Sequence, residues 1–139
     1  VDVFHRDLGK IMIHRCGISR NLSGLKAGLE EIKNLQARFH QEVKIPSAVD
    51  CPNPELEKAL RVADFIELAH LMLTDAMTRE ESCGSHFREE YQTSKGEAMR
   101  NDEKYSHIAA WEYVKDSHPI KHLEELLFTR LKPTTRSYK

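Results

Sequence analysis

Nucleophilic and ionisable side chains are concentrated in one short stretch of the sequence, residues 78–91. Within it, Cys83 lies three residues before His86. An imidazole within hydrogen-bond reach of a thiol activates it as a nucleophile, so a thiol redox enzyme is one hypothesis. No third group that would orient His86 can be identified. A turn with a buried hydrogen bond is therefore the simpler interpretation of this pair.

The same stretch gives less support for a metal site or for paired catalytic carboxylates. The Cys-x-x-His spacing could supply half of a zinc site, but tetrahedral zinc needs four ligands and Cys16 and Cys51 stand alone. Glu80 and Glu81 follow Arg79, and Glu89 and Glu90 follow Arg88. This arrangement favours an ion-pair network over paired catalytic carboxylates. The chain has no glycine-rich nucleotide motif and no G-x-S-x-G hydrolase motif. We predict no catalytic, cofactor-binding or metal-binding residue in it.

The composition indicates one soluble globular domain with an ordinary core: 139 residues, 40% of them hydrophobic, with 21 basic and 22 acidic side chains. A net charge of -1 provides no basic field, so a nucleic-acid partner is not expected. No apolar run approaches the roughly 20 residues that span a bilayer. Three widely spaced cysteines argue against a disulfide framework. Because the first residue is Val1 and no signal peptide follows, we expect a fragment of a longer chain.

Apolar residues at spacings of three and four predict two helices in the first third of the chain. The first covers residues 3–15 and is closed by Gly17. The second covers residues 22–43 and is capped by Asn21 or Ser23. It has the clearest amphipathic pattern in the sequence.

A third, longer helix is predicted to begin at Pro54, with Asn53 as its cap, and to persist to about Glu81. Alanines along it would allow neighbouring helices to approach closely. His70 lies on its predicted apolar face, so we expect a buried, hydrogen-bonded histidine there, whereas the remaining scattered histidines are expected at the surface. That face is predicted to consist of Leu56, Leu60, Ala63, Ile66, His70, Leu73 and Met77.

The last third of the chain has a different character. Residues 87–104 are dense in charge without an apolar period and predict an irregular surface segment. Alternation over residues 105–113 predicts a strand, and residues 120–131, although compatible with a helix, are interpreted as the return strand of a hairpin. The predicted fold is mainly α: an up-down-up, spectrin-repeat-like three-helix bundle (1–82), then an irregular segment, a small C-terminal β-hairpin and a tail (83–139), all in one domain.

Residues 78–91 resemble a signature of the flavoprotein subunits of succinate dehydrogenase and fumarate reductase, which begins with a threonine and from its arginine onward reads R-x-E-S-R-G-x-H-x-R-x-D-[YF]. Residues 8–20 are similar to the opening helix and turn of that family's C-terminal domain, and residues 136–138 to its usual end. The resemblance thus covers nearly the whole chain. Two positions depart from the pattern: Cys83 replaces an arginine and Glu90 an aspartate. No contact of that arginine can be transferred to Cys83.

The resemblance implies that FAD is held by a larger preceding domain, which exchanges hydride and protons with succinate or fumarate. Electrons then pass to an iron-sulfur subunit and, through a membrane anchor subunit, to quinone. This chain would be an inactive scaffold against the FAD-binding domain, in a complex on the cytoplasmic face of the cell membrane. The resemblance suggests a polar network at the domain interface, formed by Arg79, Glu81, Ser82, His86, Arg88, Arg136 and Tyr138.

Two further alternatives remain open at this stage. L-aspartate oxidases share the architecture, although the ending Arg136-Ser137-Tyr138 favours the succinate dehydrogenase and fumarate reductase group. A free-standing helical protein-interaction module is the competing class, because composition alone cannot distinguish it from a domain of a larger enzyme.

Overall fold

A computed structural model describes residues 1–46, 50–115, 117–135 and 137. The predicted fold class is confirmed, since three long helices precede a small antiparallel hairpin. Each long helix contacts the other two. The division into residues 1–82 and 83–139 stays a prediction. The elements are α1 (Asp2–Cys16), β1 (Ser19–Arg20), α2 (Leu22–Glu42), α3 (Pro54–Thr78), β2 (Phe87–Arg88), α4 (Asp102–Tyr105), β3 (His107–Glu112) and β4 (Ile120–Glu125).

The helix starts follow the predicted capping chemistry. The side chain of Asn21 accepts a hydrogen bond from the Gly24 amide at the start of α2. Asn53 does the same for the amides of Glu55 and Leu56, with Pro54 in the first turn of α3. These contacts satisfy amides that have no partner inside the helix.

The end of α3 differs from the prediction, because the helix stops at Thr78 and does not persist to about Glu81. Arg79 already has an extended backbone conformation. Beyond it, Glu81 and Ser82 turn into the interior, where both are almost completely buried. Polar contacts made by these residues replace the last helical turn, as described below.

The buried face of α3 also differs from the predicted one. Ile66 and Leu73 lie in the core as expected, but Leu56 and Leu60 are 42% and 59% exposed and His70 is exposed. The helix instead buries a stripe of mostly small residues, which lets α1 and α2 approach closely. Spacing alone could not separate two overlapping stripes that share Ile66 and Leu73. The buried face consists of Ala59, Val62, Ile66, Ala69, Leu73 and Ala76.

The chain after α3 is more ordered than predicted. Strand β2 pairs in parallel with β1, which places Arg88 beside Arg20, and Arg88 is buried and not part of a surface segment. Tyr105 ends the short helix α4 and is buried, whereas the prediction placed it in a strand. The hairpin is confirmed: β3 and β4 pair antiparallel, with Trp111 opposite Lys121. The predicted bounds of the return strand were wrong, because β4 ends at Glu125 and does not reach residue 131.

Candidate functional site

Five of the predicted interface residues meet at the C-terminal end of α3. They are Arg79, Glu81, Ser82, His86 and Arg88, and we call them the helix-end network. The other two, Arg136 and Tyr138, lie outside the described residues. A role at a domain interface stays a prediction for all of them.

Arg88 is the centre of this network and is only 2% exposed. Its Nη1 donates to the carbonyl oxygens of Ala76 at 3.1 Å, Met77 at 3.3 Å and Arg79 at 3.4 Å. Its Nε donates to Glu90 Oε2 at 3.1 Å. The guanidinium therefore caps the negative end of α3 and satisfies carbonyls that the helix leaves unpaired.

The turn before Arg88 explains the order of residues in the signature. Ser82 Oγ accepts from the Arg88 amide at 2.8 Å and donates to the Arg88 carbonyl at 3.1 Å. Between them, the backbones of Cys83 and His86 pair with each other. Gly84 makes this tight turn with φ at +59°, a conformation that other residues adopt at a cost. Serine, glycine and arginine together thus return the chain to the helix end.

Glu81 joins the helix end to the segment that contains α4. Its carboxylate is 2% exposed and accepts from Arg79 Nε and from the Asn101 amide, both at 2.8 Å. Arg79 Nη2 also donates to the Tyr105 carbonyl at 2.8 Å. These charge-assisted bonds compensate the cost of burying the carboxylate.

Both ring nitrogens of His86 are occupied. Nε2 lies 2.9 Å from the Arg79 carbonyl and Nδ1 lies 3.0 Å from Arg20 Nη1. A carbonyl can only accept and a guanidinium can only donate, so Nε2 carries the proton and Nδ1 accepts. Burial lowers the pKa of His86, and the positive charges of nearby arginines, including Arg20, lower it too. The hydrogen bond to the Arg79 carbonyl acts in the opposite direction but does not reverse the shift. The neutral imidazole has no free nitrogen to take a proton from the thiol of Cys83.

The two glutamates after β2 bind the start of α2. Glu89 accepts from Ser19 Oγ at 2.8 Å and Asn21 Nδ2 at 2.9 Å, and Glu90 accepts from the Leu22 amide. The bonds from Asn21 and Ser19 lower the pKa of Glu89. Burial raises the pKa of Glu90. Hydrogen bonds from backbone amides and from Arg88 outweigh this effect, so the pKa lies below its ordinary value. These carboxylates therefore have a structural role in joining β1, α2 and β2.

Sequence reasoning missed an open cavity of about 470 Å³ beside the network, which we call the α3–β3 groove. Asp75 on its α3 side binds Trp111 Nε1 at 3.2 Å and Lys121 Nζ at 2.9 Å. Arg20 of β1 also lines the groove. The alternation of β3 could have indicated that Trp111 faces the body of the molecule, but no local signal in the sequence brings Arg20 to it.

The structure also bears on metal binding, on a phosphate turn and on membrane crossing in the described part of the chain. None of its groups of His, Cys, Asp and Glu is arranged to hold a metal ion. Its only parallel strand pair is two residues long and is not followed by a glycine-rich phosphate turn. No helix in these ranges is both long and apolar enough to cross a bilayer.

The described residues thus form a helical bundle with a polar network at the end of α3. The family model described as "Fumarate reductase flavoprotein C-term" matches residues 5–138. The chain is 30% identical over 133 residues to the fumarate reductase flavoprotein subunit of Helicobacter pylori (strain ATCC 700392 / 26695), covering 93% of this chain and 18% of that protein.

Two other relatives extend the comparison. L-aspartate oxidase 2 of Ralstonia nicotianae is 36% identical over 93 residues, which is 67% of this chain and 15% of that enzyme. A solved quinol-fumarate reductase with menaquinol molecules shares the fold, with a TM-score of 0.78 at 23% identity, over 96% of this chain and 22% of that one. The chain belongs to the fumarate reductase and succinate dehydrogenase flavoprotein family, as its C-terminal domain. It spans about a fifth of the length of these relatives.

Proposed function

We propose that this chain supports the FAD-binding part of a flavoprotein subunit that interconverts succinate and fumarate. FAD and the dicarboxylate would be bound by the rest of the subunit, and the present chain would supply no reacting group. Electrons would pass to an iron-sulfur subunit and, through a membrane anchor subunit, to quinone. The complex would lie on the cytoplasmic face of the cell membrane, with this subunit peripheral to it.

The observation that carries the proposal is the helix-end network in a chain that matches the family along almost its whole length. The side chains of Glu81, Ser82 and Arg88 are buried and bonded within this chain, so they are not available to a substrate. Their role would be to hold the end of α3 and the turn after it in one shape. The neighbouring FAD-binding domain would then dock against a surface of fixed geometry.

An absorbance spectrum and a succinate oxidation assay on the 139-residue chain, beside the full subunit that contains it, test this function. We expect a flavin spectrum and succinate oxidation in the full subunit only. Flavin bound by the 139-residue chain would overturn the scaffold role. A full subunit with neither property would favour a helical interaction module.

L-aspartate oxidase is the second candidate for the parent enzyme, because one such relative is 36% identical over 93 residues. The two candidates differ in the substrate that reduces the flavin. Bleaching of the flavin spectrum by succinate, and not by L-aspartate, is the result expected from our proposal. The opposite preference would assign the parent to the oxidases.

A further inference from the structure

The α3–β3 groove has an apolar surface that is open to solvent. Leu68 and Met72 contribute one side from α3 and are 52% and 45% exposed. Ala109 and Trp111 contribute the other side from β3. Burying such a surface would contribute favourably to an association, since apolar area removed from water is the main source of binding free energy.

The charged groups along this groove are compensated, with one exception. Asp75 is paired with Lys121 at 2.9 Å, and Arg79 is paired with Glu81 at 2.8 Å. Arg20 donates to the Gly17 carbonyl and to His86 Nδ1, and it contacts no carboxylate in residues 1–46, 50–115, 117–135 and 137. The groove therefore presents one uncompensated guanidinium.

The acidic residues closest in the sheet register are already engaged. β1 and β2 pair Arg20 with Arg88, and Glu89 and Glu90 follow directly. Glu89 is held by Ser19 and Asn21, and Glu90 by Leu22 and Arg88. The fold thus directs both carboxylates to other partners.

His86 holds the guanidinium in place. Its neutral ring accepts from Arg20 Nη1 at 3.0 Å and is itself fixed by its bond to the Arg79 carbonyl. A cation held in one orientation by neutral acceptors loses little conformational freedom on pairing with a carboxylate. Guanidinium and carboxylate also match geometrically as paired donors and acceptors.

We propose that the α3–β3 groove receives a segment of the FAD-binding part of the same subunit, in which an aspartate or glutamate stands next to an apolar residue. The carboxylate pairs with Arg20, and the apolar side chain covers Leu68 and Met72. Charge complementarity selects an acidic segment. This inference rests on the proposed function, and the partner is assigned to the same polypeptide because the chain spans about a fifth of its relatives.

Amide hydrogen exchange compares the full subunit with the 139-residue chain. We expect residues 68–72 and 109–111 to exchange at least about tenfold more slowly in the full subunit, because a docked segment excludes water there. Unchanged exchange in a full subunit that holds FAD and oxidises succinate would overturn the groove assignment and leave the proposed function intact. A full subunit that holds no FAD would overturn both.

Two variants of the full subunit test the chemistry of the occupant. Arg20→Gln removes the charge, and Met72→Asp places a carboxylate on the apolar side of the groove. Each should increase exchange across the groove by at least about tenfold. Leu60→Asp is the matched control, because Leu60 lies on the same helix, is 59% exposed and does not line the groove. Persistent protection in the Arg20→Gln variant would overturn the carboxylate pairing.

Unfolding of the 139-residue variants separates docking from folding. Arg20→Lys, which keeps the charge, should retain more groove protection than Arg20→Gln at similar stability of the isolated chain. A loss of protection that only follows a loss of stability would overturn the inference. Protection that grows with concentration in the isolated chain would assign the groove to a second copy, and protection that needs the iron-sulfur subunit would assign it to that subunit.

Discussion

Glu81, Arg88 and His86 are polar side chains withdrawn from water at one helix end, and each has a partner of complementary type. Glu81 accepts from a guanidinium and an amide, and Arg88 donates to helix carbonyls and a carboxylate. His86 has one acceptor and one donor as partners. Removing one member of such a network leaves the others buried without compensation, which costs more than the bond itself.

Glu81→Gln tests this balance with almost no change in shape. The amide cannot reproduce two charge-assisted bonds, so we expect a loss of about 2–3 kcal/mol in the free energy of unfolding of the 139-residue chain. Urea unfolding measures it. Glu57→Gln is the control, since Glu57 is exposed and its ion-pair partner Arg61 is exposed too. This variant should lose no more than about 0.5 kcal/mol in the free energy of unfolding. Equal losses of unfolding free energy in the two variants would show that the buried network stabilises the chain no more than an exposed ion pair does.

His86 should make stability depend on pH. Its pKa in the folded chain lies below the ordinary value of 6.5, so between the two values the unfolded chain binds more protons. The contribution of His86 is therefore complete above about pH 6.5 and is lost as the pH falls through the lower folded pKa. The carboxylates Glu89 and Glu90 act in a more acidic range, because their pKa values are lowered from 4.5.

Urea unfolding of the wild-type chain and His86→Gln at about pH 7.5, 6.5 and 5 measures this dependence. We expect the wild type to lose more stability on acidification than the variant, which cannot titrate at this position. Parallel pH profiles would contradict the neutral, hydrogen-bonded imidazole.

At the scale of secondary structure elements, α1, α2 and α3 pack closely around Gly28. A Cβ atom there would lie 2.8 Å from Arg15 Cβ and 2.9 Å from Leu73 Cδ2, so neither neighbour has room for it. A Cβ atom at Gly9 in α1 would meet no other atom of the described residues within 4 Å, apart from its chain neighbours and the nearby backbone of its own helix. Alanine substitutions at these two positions therefore distinguish the effect of helix propensity on stability from the effect of packing between helices.

Gly28→Ala should lower the free energy of unfolding by about 1–3 kcal/mol, because the added methyl overpacks the helix contact. Gly9→Ala should raise it by about 0.5–1 kcal/mol, since alanine loses less backbone entropy in a helix. Thermal or urea unfolding of both variants measures the difference. A stabilised Gly28→Ala chain would mean that the helices are not packed as described.

Element positions were largely predictable because caps and turns are local. Asn21, Asn53 and Pro54 act on amides within a few residues, and the alternation around Trp111 correctly indicated a strand. The end of α3 was not predictable by the same means. It depends on Arg88, which reaches back from ten residues beyond Thr78 to carbonyls that a longer helix would have used.

Residues 79–91 carried most of what the sequence could indicate about the candidate site, because the signature holds the turn and the network in one continuous stretch. The α3–β3 groove was not predictable, since Arg20, Asp75 and Trp111 are brought together only by tertiary packing. The prediction that His70 is buried was wrong for a related reason. The close helix contacts selected the alanine stripe of α3, a choice that depends on neighbouring helices and not on spacing.

At the scale of the whole molecule, this chain is one domain of a longer flavoprotein in our account, and its fold matters through its effect on the rest of the subunit. The bundle holds the helix-end network, and the network holds the turn and the strand pair beside the groove. A local defect in the network should therefore appear in the FAD-binding part that docks beside it. It should do so without any change in the groups that react.

The most direct test is Arg88→Ala in the full subunit, with Arg61→Ala as the control at an exposed ion pair. Flavin content, thermal stability and succinate oxidation are measured together. Our account predicts that Arg88→Ala lowers all three, whereas Arg61→Ala leaves them near the wild-type values. An Arg88→Ala subunit with unchanged flavin content, stability and turnover would contradict the supporting role that we assign to this domain.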